Sequence, residues 1–136
     1  MLSIGFGMLT ADNYFSTLTI WLTGWSLLSM GTAVLGLFLQ PREKWRAFWF
    51  MSGLWGLIDG AIAYSGMFGE PMPLSDVVRI VQINAGLDVL YLIVAAILLT
   101  RQSPLAKGFG LAIAIQGLFL LILDVTFWVI GSRLMG

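Results

Sequence analysis

Asp59, Asp88 and Asp124 each interrupt a long apolar run. An acid at mid-bilayer depth costs about 2.5 to 3.5 kcal/mol on insertion scales, so a membrane protein that keeps one there uses it for a site or a polar contact. The stretch that displays such an acid best is Gln82 to Thr100, QINAGLDVLYLIVAAILLT. Wound as a helix, it places Ile80, Ile83, Leu87, Leu90, Val94 and Ile97 on one face and Asn84, Asp88, Tyr91 and Ala95 on another. Spacings of three and four hold each face together. The first face suits lipid; the second must look into protein or water.

Depth brings the three acids to one level. At a rise of about 1.5 Å per residue, Asp59 lies roughly 12 Å from the outer end of its helix, Asp124 roughly 9 Å and Asp88 roughly 16 Å, with Asn84 between them. Tyr64 and Tyr91 add hydroxyl donors, Gln116 adds an amide in the fourth helix, and Gln82 and Arg79 lie nearer the outer mouth. These residues describe an outward-facing polar pocket for a proton, a cation or a small polar ligand. An all-oxygen donor set suits a hard cation such as Mg²⁺, Ca²⁺ or Mn²⁺, but nothing in the spacing selects a metal, and no metal-ligand set is assigned. The same acids also have a structural reading, as hydrogen-bond partners of Asn84, Gln116, a tyrosine or a hydroxyl of the first helix. Interhelical bonds of that kind average about 0.6 kcal/mol. Arg79 has a second reading as a side chain that reaches to the outer interface.

Composition sets the class. The 136 residues are 59% hydrophobic and 10% charged, against about 25% charged in soluble domains. Lys+Arg and Asp+Glu balance at 7 each, so no basic excess points to nucleic acid. Cysteine and histidine are both absent. Disulfides, iron–sulfur clusters, histidine-held haem or zinc and histidine acid–base catalysis are thereby excluded within this chain. No serine or threonine has a recognisable base, so no catalytic residue, enzyme activity or cofactor is expected.

The elements that carry these residues read as four spans, about 14–39, 47–67, 77–99 and 108–130, in a single transmembrane domain over 1–136. Asp12 or Asn13 stands where the first helix needs a cap. That helix carries Thr17, Thr19, Thr23, Ser26, Ser29 and Thr32, which favour close approach and bonds across a helix contact. Trp21 and Trp25 lie deeper than an interfacial belt. In the second span Ser52, Gly56 and Gly60 form a small-residue row. Basic residues concentrate in the loops QPREKWR (40–46) and TRQSPLAK (100–107), which hold five of the seven, while FGEPMPLSD (68–76) is acidic. By the positive-inside rule the two basic loops face the cytoplasm and both termini face out. No basic residue precedes Arg42, so no cleavable signal is expected. IDGAIAYSG (58–66) aligns without gaps to LDVTFWVIG (123–131). That weak repeat pairs the second span with the fourth and implies two hairpins related by a two-fold axis along the membrane normal.

Three strings, WRAFWFMSGLWGLID (45–59), QINAGLDVLYLIVA (82–95) and KGFGLAIAIQGLFLLILD (107–124), resemble a family of small bacterial four-helix membrane proteins of unknown function. The resemblance runs over spans two to four. It implies a four-helix bundle in a bacterial inner membrane and no activity, and it places Gln82, Asn84, Asp88, Gln116 and Asp124 in the shared strings. The expectation is therefore an all-α, integral membrane four-helix bundle of two antiparallel transmembrane hairpins. Its polar cluster marks a ligand- or ion-binding protein, a small proton-linked transporter working as a homodimer. The alternative is a non-catalytic accessory or scaffold subunit of a larger membrane complex, whose acids pair with a partner.

Overall fold

The computed structural model describes residues 9–69 and 72–136. Positions 1–8, Glu70 and Pro71, part of the expected lead-in and acidic loop, lie outside the described residues. The chain forms α1 (Tyr14–Leu39), α2 (Glu43–Phe68), α3 (Leu74–Leu99) and α4 (Pro104–Leu134). α1 has the expected bounds, and the other three helices begin earlier. α4 starts at Pro104 because Ser103 caps it, its hydroxyl accepting from the Ala106 N–H at 3.4 Å, and a proline at the first helical position has no amide to satisfy. Glu43 and the basic residues after it wind into the first turn of α2, where an acid suits the positive end of the helix dipole. Asn13 precedes α1, but its side chain turns back to accept from the Thr10 N–H at 2.7 Å and makes no cap bond to the helix.

Two of the basic loop residues close helix ends. Arg46 donates through Nη1 to the carbonyls of Leu37 (2.7 Å) and Gln40 (3.2 Å), and Lys107 donates through Nζ to Leu99 (3.1 Å). Carbonyls at a C-terminus lack helical partners, and a cation there also meets the negative end of the dipole.

Each hairpin packs internally, α1 on α2 and α3 on α4, and the hairpins join through α2 and α4. The α1–α2 seam is the small-residue row. A Cβ on Gly56 would come within 3.0 Å of the Ser29 Cβ, and one on Gly60 within 2.6 Å of the Ser26 Oγ. The near approach lets the Ser26 hydroxyl donate to the Gly56 carbonyl at 2.7 Å. The threonines behave differently. Thr19, Thr23 and Thr32 donate to carbonyls of their own helix at 2.7–2.9 Å, the back-bonding usual for a hydroxyl within a helix. The depth of Trp25 also has a reason: its ring stacks on Phe119 of α4 at 3.9 Å and its Nε1 donates to Gln116 Oε1 at 2.7 Å.

Large apolar side chains cover the outside of the molecule, and several polar ones are buried. Phe38, Leu39, Ile20 and Leu27 are more than 60% exposed, whereas Ser26, Asp59, Asp88 and Gln116 are at most 2% exposed. Soluble proteins bury the first kind and expose the second. Three helices, α1, α3 and α4, are long and apolar enough to cross a membrane. α2 matches α1 and α3 in length at 26 residues, but Asp59, Ser52 and several glycines and tryptophans dilute its apolar stretch, so it does not reach that standard on composition. One apolar core closes the bundle: Tyr14, Val77, Val78, Val81, Leu123 and Phe127. Tyr14 packs edge-on to Phe127 and donates its hydroxyl to the Phe127 carbonyl.

Candidate functional site: an acid-floored cavity between α2 and α3

Helix periodicity turns Asp59, Asp88 and Asp124 inward from α2, α3 and α4, where they are 2%, 2% and 6% exposed. All three line a cavity of about 470 Å³, within the roughly 300 to 1,000 Å³ of small-molecule sites. Asp88 and Asp124 face the cavity from neighbouring helices, α3 and α4, and two carboxyls can bond to each other only when one of them carries a proton. One oxygen each of Asp59 and Asp88 is buried with no hydrogen-bond partner. Buried polar atoms are nearly always paired, and one left unpaired costs about 1–3 kcal/mol. Two of them on residues that line the same cavity are the clearest mark of a ligand on this molecule.

Asn84 and Tyr91, one turn to either side of Asp88, line the cavity with it. The Tyr91 ring meets Trp55 of α2 edge-on at 4.8 Å and closes the deep end. Four expected members lie elsewhere. Tyr64 is 66% exposed and packs on Phe68. It follows Asp59 by five residues, about 140° around the helix. Arg79 and Gln82 are exposed and line no part of the cavity; nine residues before Asp88, Arg79 is about 180° away. Gln116 is buried, but it ties α4 to α1 by accepting from Trp25 and donating to Ser29 Oγ at 3.1 Å. Trp55, Thr19 and the residues Ile58 and Ile62 were not among the expected members, and they do line the cavity. Trp55 stands four residues before Asp59, so the i, i+4 rule that linked Asn84 to Asp88 also reaches it.

Among the described residues, no three of His, Cys, Asp and Glu are grouped so as to hold a metal ion. The trio shares a cavity without converging on one point, which does not favour the hard-cation option.

A family model, described as a family of unknown function (DUF6992), matches residues 21–125. The chain belongs to this family. The DUF6992 match holds Asp59, Asn84, Asp88, Tyr91, Gln116 and Asp124, and begins at Trp21, so it takes in most of α1 as well. The sequence resemblance to an uncharacterised family agrees with it. No curated protein and no solved structure matches the chain.

Proposed function

We propose that this chain is an integral membrane protein, with α2 as a fourth span beside α1, α3 and α4, and that its acid-floored cavity binds a cation or a small polar ligand in exchange for a proton, as a small transporter does. The reading rests on Asp59 and Asp88, which line one cavity and each carry a buried carboxyl oxygen without a partner. The exchange has a physical basis, since a cation that pairs with carboxylates in a dry site displaces the protons that would otherwise keep them neutral. An apolar exterior of exposed Phe, Leu and Ile side chains supports lipid as the surroundings. The basic loops at 40–46 and 100–107 would face the cytoplasm of a bacterial inner membrane, with both termini outside. Four helices enclose a narrow space, so the transport path would be completed by a second copy of the chain.

Thermal unfolding of the purified protein with a panel of cations and small polar ligands tests this. A ligand present at about 100 times its Kd adds about 2.7 kcal/mol to stability. That gain is expected in the wild type and in Ser26→Ala, which loses only its bond to Gly56 across the α1–α2 seam, and it should vanish in Asp88→Asn and Asp124→Asn. If no ligand shifts the wild type and both Asn variants simply melt lower, the acids hold helices together and the scaffold reading replaces this one.

A further inference from the structure

The cavity has a side opening. α2 and α3 are not among the closely packed helix pairs, and between them the wall is made by Ile58 and Ile62 on one side and Ile80 and Leu87 on the other. These four line the cavity yet remain 40–56% exposed, so each has one flank inside and one on the outer surface. Ile62 and Ile80 each lie six residues from the helix ends that flank the 69–73 loop, roughly 9 Å, and Ile58 and Leu87 lie deeper. The gap is therefore a slot along the bundle, apolar at its rim, acidic at its floor and stopped at the deep end by Trp55 against Tyr91.

The two ends of this slot ask for different chemistry in one molecule. Its floor offers acids with unpartnered oxygens, and among the described residues no lysine or arginine lines it. An anion is repelled there, and a hydrocarbon leaves the oxygens unpaired. A small inorganic ion meets no grouped donor set and leaves the apolar rim unfilled. An ammonium group carries the positive charge and several N–H donors that the floor lacks, and an alkyl chain fills the rim. Building on the function proposed above, we infer that the occupant is a lipophilic amine, which enters from the bilayer between α2 and α3 with its ammonium group at Asp59 and Asp88 and its apolar body between Ile58, Ile62, Ile80 and Leu87.

The test uses the protein in nanodiscs of zwitterionic lipid, with decylamine, decanol, decanoate and butylamine as probes and the thermal midpoint as readout. Decylamine is expected to stabilise the wild type. Loss of a charge-assisted bond should weaken its apparent affinity about tenfold or more in Asp59→Asn and Asp88→Asn. Decanol and decanoate should be weaker still. A slot-filling variant, Ile62→Trp, should weaken decylamine and leave butylamine unchanged, and its own melting curve reports whether it is folded. If butylamine binds as tightly as decylamine and the Asn variants abolish both, the acid site stands and the lipophilic occupant is overturned. Equal stabilisation of wild type and Asn variants by decylamine would mean partitioning into lipid alone and would also overturn the inference. Should no probe act, here or in the cation panel, the binding function falls with it.

Discussion

Replacing Asp59 with leucine is expected to make the ligand-free protein more stable, by about 1–3 kcal/mol, the cost of a buried polar atom left without a partner. Asp59 is 2% exposed with one carboxyl oxygen unpaired, and it borders a cavity with room for the added methyl groups. An apolar side chain of similar size removes the unpaired oxygen and the like charge beside Asp88 together. The same substitution should abolish the response to any cationic ligand. Gain of stability with loss of binding is what a site retained for function produces, because natural proteins keep such residues at the expense of stability. An acid that serves as a tie between helices behaves in the opposite way: its leucine variant loses stability. Chemical unfolding of wild type and Asp59→Leu in the same lipid separates the two by sign.

A loss of stability is expected at the other end of the molecule. Gly108 opens the second turn of α4 against the start of α2. A Cβ there would collide with the Lys44 carbonyl oxygen and come within 2.8 Å of the Ala47 Cβ and 3.0 Å of the Phe48 nitrogen. Two of those three neighbours are backbone atoms, which cannot rotate aside. Gly108→Ala should therefore force α2 and α4 apart and cost about 3 kcal/mol, the upper part of the range for overpacking. Gly86→Ala is the matched control. It lies within α3, a Cβ there meets nothing within 4 Å, and alanine is the better helix former by about 1 kcal/mol. Equal stability of the two variants would mean that α2 and α4 do not meet at Gly108. Because α2 and α4 join the hairpins, the first variant should also weaken ligand response, whereas the second should leave it intact.

What the sequence made legible followed from periodicity within one helix. The apolar face of α3 is exposed at all six expected positions, and Asp88 and Ala95 on the other face are 2% and 1% exposed. The row through Gly56 and Gly60 is a true seam, although such a pair is common in apolar helices by chance. Relations between helices were less readable. Tyr64 is a candidate for its hydroxyl and Arg79 for its place near the outer mouth, and neither criterion includes rotation: both side chains lie off the cavity. The amide of Gln116 suits a polar site, but its partners Trp25 and Ser29 lie on a helix whose angle of approach no local pattern records. The slot between α2 and α3 had no signal of its own, since an isoleucine on a rim has the same neighbours in sequence as one facing lipid. α2 and α4 begin before their apolar runs for another reason: their first turns are charged or carry proline, so capping chemistry and not apolar character marks their starts.

The central claim is that acids from different helices form one site, and a double-mutant cycle on Asp88 and Asp124 tests it most directly. Groups in a shared hydrogen-bond network couple by about 0.5–3 kcal/mol, whereas sites far apart add to within about 0.3–0.5 kcal/mol. Unfolding free energies of wild type, Asp88→Asn, Asp124→Asn and the double variant, taken at one pH in one lipid, are expected to be non-additive by about 1 kcal/mol or more. Additivity within error would contradict the account, because two carboxyls that belong to one site cannot be removed independently.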